Sequence, residues 1–106
     1  MNKQKQNEAM AKLDFPDIVA VDRGFAEFKD GRVGPFYKDY TRDHNYVQRV
    51  IDGFNGTELI NYSLALEVVV FGHVLTNEGD CVLYQATPAQ KVEAILRAKG
   101  LWEEEA

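Results

Sequence analysis

Side chains able to do chemistry are few in this chain and widely scattered. His44, His73, Ser63 and Cys81 exhaust its histidine, serine and cysteine. A metal centre wants three or four ligands at patterned spacing, such as two histidines one helical turn apart, and this pair does not provide it. His44 reads as a surface residue, and His73 as a hydrogen-bonded residue closing an apolar segment. Ser63 lies inside an apolar run rather than in a Gly-x-Ser-x-Gly turn. Cys81 follows Asp80, whose charge works against a thiolate, so it reads as a reduced, part-buried small residue. Asp39 and Asp43, one helical turn apart and next to His44, are the one arrangement with acid–base spacing. Carboxylates at a helix start are equally favoured by capping and by the macrodipole, which explains them without catalysis. The expectation is a protein that is not an enzyme and uses no cofactor or metal.

Residues 29–46 are richer. Lys29, Arg32, Lys38 and Arg42 alternate with Phe36, Tyr37, Tyr40 and Tyr46. Aromatic faces beside Arg and Lys stack bases and hold phosphates, so a small anionic ligand such as a nucleotide would bind here. Tyr and Arg also dominate protein-interface hot spots, so a protein partner would favour the same stretch. The plainer alternative is that two or three of the rings pack on a small sheet. Gly31-Arg32-Val33-Gly34 lacks the pattern of a phosphate loop and reads as turn punctuation. A second candidate surface is Trp102, followed by Glu103, Glu104 and Glu105. It has the character of an acidic docking end, although a tryptophan folded back on the core is the simpler reading.

The chain has 106 residues, 45% hydrophobic and 27% charged, with a net charge of −5. Those values fit one domain over 1–106 with an acidic tail at 101–106. Residues 1–53 carry nine basic and nine acidic side chains, whereas 54–106 carry three and eight. Such a balance excludes a broad nucleic-acid-coating surface, which needs a basic face, but not one small anion. A lone cysteine rules out an internal disulfide. The apolar region 64–75 is broken by Glu67, Gly72 and His73, so no membrane span is expected. The polar start at 1–6 has no signal-peptide core, which points to the cytoplasm. Homo-oligomerisation is left open.

Fold class follows from the element pattern. Helix formers at 2–13, with Ala9, Met10 and Leu13 on one narrow stripe, predict a first helix ended by Phe15-Pro16. Residues 17–28 read as extended, and Asp30-Gly31 as a hairpin turn into a short strand at Val33 that Gly34-Pro35 curtails. Thr41 or Asp43 caps a helix with Val47, Val50, Ile51 and Phe54 on one face. Asn55 and Glu58 have capping-box spacing before 59–71, which is apolar on nearly all sides and predicts a buried helix. A turn at 77–80 and a short strand at 81–84 follow. Thr87, Pro88 and Gln90 open a last helix that Gly100 closes, with Leu101 placed for a Schellman contact. The sum is an α+β domain, a small antiparallel sheet with three to four helices, with an α-β-α sandwich as one arrangement of it.

The ending Ala86-Thr87-Pro88-Ala89-Gln90, continuing to Gly100-Leu101-Trp102-Glu103-Glu104, resembles the C-terminal helix of small phage and prophage proteins of unknown function. Pro35, Tyr37 and Asp39 through Asp43 are similar to the segment that leads into their central helix. Those proteins overlap with the phage ABA-sandwich group, so the resemblance implies helices on both faces of a small sheet and a host-cell cytoplasm. It covers roughly 35–54 and 86–104. Where that group often has tryptophan near the first helix, this chain has Phe15. The group has no established activity. The resulting expectation is a non-enzymatic phage accessory protein that binds a host or phage protein, with an anti-defence role in view. The alternative is a sponge for a signalling nucleotide at 29–46.

Overall fold

In the computed structural model, residues 1–72 and 86–104 are described. Helix α1 runs Lys3–Asp14, with the Asn2 side chain accepting from the Lys5 amide at 2.8 Å. It stops at Phe15, because the residue before a proline disfavours helical backbone. Strands β1 (Ile18–Asp22), β2 (Phe25–Phe28) and β3 (Val33–Pro35) form an antiparallel sheet in that order. Helices α2 (His44–Asp52), α3 (Gly56–Phe71) and α4 (Pro88–Ala98) complete the described chain. The class is α+β, as its sequence predicts.

Two turns build the sheet. The 17–28 stretch does not stay extended but reverses at Arg23-Gly24, where φ is +51° and +81°. Two successive positive φ values give a primed hairpin turn, whose twist matches the flanking strands. Phe25 then pairs with Asp22 on one side and Pro35 on the other. At the second turn, Gly31 takes φ +86° and its amide donates to the Phe28 carbonyl at 2.9 Å. Pro35 fits because β3 is an edge strand, where a missing amide costs no ladder bond. On β1, the Val21 amide donates to a Glu8 carboxylate oxygen at 3.0 Å.

Helix α1 is the central layer. It packs on β1 with one side and on α2 and α4 with others. Met10 and Ala11 are both fully buried, so the apolar contact is wider than the narrow stripe predicts. The core also takes in Tyr40, Val47, Tyr62, Leu66, Val92, Ile95 and Leu96. Among the described elements the helix–sheet packing is α1 on β1, with the other helices against α1 or one another, a single helical layer on the sheet rather than the sandwich arrangement. Phe25, at 49% exposed, and Val33, at 66%, stand in solvent on the other side.

The helix ends follow their capping residues. Asp43, not Thr41, caps α2. Asn55 with Glu58 and Thr87 with Gln90 both form reciprocal capping boxes. At the end of α4 the Leu101 amide reaches the Leu96 carbonyl and the Gly100 amide the Arg97 carbonyl, with Gly100 at φ +71°. That pattern is a Schellman motif. Residues 59–71 are helical, but only Tyr62, Leu66 and Glu67 are buried, so the expectation of a buried helix is half corrected. The expected turn at 77–80, the strand at 81–84, His73 and Cys81 lie outside the described residues. No helix of the described chain is long and apolar enough to cross a membrane.

Candidate functional site

The basic–aromatic segment does not form one surface; the fold sends its residues to three places. Its inner part closes on Asp14, the last residue of α1, whose side chain is 4% exposed. The Tyr40 hydroxyl donates to Asp14 Oδ2 at 2.6 Å, Arg49 Nε lies 3.1 Å from Oδ1, and Lys38 Nζ stands 3.9 Å from Oδ2. The same two cations cover the Phe15 ring, Lys38 at 4.6 Å and Arg49 at 4.7 Å. Lys38 also lies 5.0 Å from the Tyr46 ring, while Phe36 meets Phe15 edge-on at 6.1 Å. A buried carboxylate needs paired charge and hydrogen bonds, and this cluster supplies both. Burial, and then the bond to Asp14, push the Tyr40 hydroxyl well above the usual tyrosine range. Three of the four rings, Phe36, Tyr40 and Tyr46, therefore pack inward, Phe36 against Phe15 at the end of α1 and Tyr40 against Tyr46.

A second group gathers on Asp39. Thr41 Oγ1 donates to Oδ1 at 2.6 Å, Asn7 Nδ2 at 3.2 Å, and Lys3 Nζ sits 2.8 Å from Oδ2. Arg42 Nε is 3.8 Å from the same carboxylate. Burial opposes ionisation here, but the bonds from Lys3, Thr41 and Asn7 outweigh it and hold the Asp39 carboxyl at about 2. Asp43 caps α2, and His44 Nδ1 lies 3.4 Å from Lys91 Nζ. Each member of the acid–base triplet thus has a structural partner.

The remaining residues face water along the outer hairpin. Lys29 is exposed at the β2–β3 turn, and Arg32 there pairs with Asp30 at 2.6 Å while covering Phe28 at 5.6 Å. Tyr37 is 77% exposed and its ring lies on Gly24 at the other turn. A Cβ on Gly24 would meet Tyr37 Cε1 at 2.9 Å, so only glycine admits the ring there. Phe25 and Pro35, opposite each other in register, and Val33 continue the patch along the outer side of the sheet. A hollow of about 240 Å³ beside Tyr37 is also lined by Arg23 and Lys38, with Asp22 and Asp39 in its wall. Two carboxylates in so small a hollow work against an anion.

Trp102 folds back on the core, with Arg97 5.0 Å from its ring. Its Nε1 is buried and finds no acceptor among the described residues. Glu103 pairs with Lys5 at 3.5 Å and Glu104 with Arg97 at 2.8 Å, so these two acids are anchored at the end of the chain's last described turn. Where α1, α2, the start of α3 and the end of α4 meet lies a notch of about 230 Å³ holding two ion pairs, Asp14 with Arg49 and Glu58 with Lys99.

Sequence reading missed Asp14, Arg49, Phe25 and Val33. Asp14 had no local signal, because its partners lie more than twenty positions away. Phe25 and Val33 read as strand residues, and only the one-sided sheet exposes them. No protein-family model, curated protein or solved structure matches this chain.

Proposed function

We propose that the protein acts by binding another protein, without a catalytic step, through the outer face of the β2–β3 hairpin around Tyr37. The observation that carries this is the patch of Tyr37, Phe25, Pro35 and Val33, with Glu27 among them, which the described residues leave open on the outer side of the sheet. Large rings in solvent cost free energy in isolation, and Tyr with nearby Arg is the composition of interface hot spots. Arg23, 91% exposed by side chain at the first turn and 3.9 Å from its neighbour Asp22, adds a cation at the edge of the patch. The resemblance of 35–43 and 86–104 to small phage proteins supports an accessory phage or prophage protein with a host or phage partner. A nucleotide sponge has less support, since Arg32, Lys38 and Arg42 each face a carboxylate of their own chain.

The test places a photo-crosslinking residue at position 37 in cells producing the protein, with Thr57 as control position. The expected result is one discrete adduct to a different chain from position 37 and none from position 57. Absence of any adduct at 37 overturns the reading.

A further inference from the structure

Register sets a carboxylate in the middle of the hairpin face. On the outer side of the sheet Ala20, Glu27 and Val33 lie opposite one another in one row, and Asp22, Phe25 and Pro35 in the next. Glu27 therefore has Phe25 two residues back on its own strand and Val33 across the ladder. All three are exposed, Phe25 at 49% and Val33 at 66%. The neighbouring charges are answered within the chain. Asp22 accepts from Gln4 at 3.1 Å and stands 3.9 Å from Arg23, Arg32 pairs with Asp30 at 2.6 Å, and Lys38 is turned to Asp14. Among the described residues no hydrogen bond or ion pair reaches the Glu27 carboxylate. Lys29, two residues on, sits past the end of β2, where its amide donates to the Asp17 carbonyl at 2.9 Å, and it forms no ion pair with Glu27.

In water an exposed carboxylate is hydrated and needs no counter-charge. That changes once the face is covered. A surface that packs on Phe25, Val33 and Pro35 also strips water from Glu27, which lies among them. An uncompensated carboxylate taken out of water costs more than the covering of Val33 returns. A purely apolar surface is therefore rejected here, and an acidic one is rejected more strongly. A lysine or arginine fits, because its methylene stem lies along apolar neighbours while its head reaches the carboxylate. The arginine fork takes both carboxylate oxygens at once.

We infer that the partner presents a lysine or arginine side chain to Glu27, with its stem across Phe25 and Val33, and that Glu27 sets which partner is accepted. This rests on the hairpin-face contact proposed above and adds the chemistry of its occupant. The apolar residues supply area, and the one unanswered carboxylate among them supplies selection.

The test takes the protein captured at position 37, purified, and measures its affinity for the wild-type chain and three variants by titration calorimetry. Glu27→Gln is expected to weaken binding at least about 10-fold and Glu27→Lys at least about 100-fold, while Lys29→Gln stays within about 3-fold. Residue 27 faces solvent in the free chain, so the fold does not depend on it, and circular dichroism checks each variant. Unchanged affinity in Glu27→Gln overturns the inference and leaves the hairpin contact standing. A loss in Lys29→Gln with none in Glu27→Lys also overturns it, by giving the face an acidic occupant. Absence of any adduct from position 37 overturns the contact itself, and the inference with it.

Discussion

Asp14 shows at the residue scale how a basic–aromatic sequence becomes a packing device. One buried carboxylate accepts the Tyr40 hydroxyl and faces both Lys38 and Arg49, and the two cations cover Phe15. Replacing it by Asn leaves both cations without a carboxylate. Losing one partner of a fully buried pair costs about 3–5 kcal/mol, and the half-exposed Arg49 reduces that to about 2 kcal/mol. Chemical denaturation of Asp14→Asn is expected to show this loss, with an unchanged slope. Asp39 makes a matching prediction for pH. Its carboxyl is held at about 2, so the folded chain keeps it ionised where the unfolded chain has begun to protonate. The stabilisation is present above the ordinary aspartate range and is lost as pH falls through it towards 2. Thermal midpoints measured from pH 5 to pH 2 should fall for the wild type, and fall less for Asp39→Asn. The types of these residues were legible in the sequence, but their pairing was not. A carboxylate at the end of α1 and a tyrosine far along the chain meet only through the packing of α1 against the segment before α2.

Among the elements, the helices were legible because their ends carry local instructions. Thr87, Pro88, Gln90 and Gly100 each act within a turn of the residue they bond, so α4 could be read without tertiary information. The first hairpin could not. Arg23 occupies a positive φ that side chains other than Gly, Asn and Asp seldom adopt, so Asp22-Arg23-Gly24 gives only half of a turn signal. Its Gly24 also has to lie bare beneath Tyr37. Arg23→Asn is expected to relieve the local strain and stabilise the fold by about 0.5–1 kcal/mol, read as a higher denaturation midpoint. Helix α3 failed in the opposite way. Its composition correctly gave a helix, but hydrophobicity on all sides suggested burial on all sides, and the described chain covers only part of it.

For the whole molecule, α1 is the layer that holds sheet and helices together, and the chain is elongated, 47 Å by 32 Å by 22 Å. The net charge of −5 says little about the hairpin face, whose large exposed residues Phe25, Val33 and Tyr37 are uncharged. The central claim is that the hairpin face around Tyr37 is where the protein meets its partner. Its most direct test is amide hydrogen exchange on the free chain and on its complex with the protein captured from position 37. Slowed exchange concentrated at residues 24–37, with α4 unaffected, is the predicted footprint. Protection at the notch where α1, α2, the start of α3 and the end of α4 meet, with 24–37 exchanging as in the free chain, would contradict it.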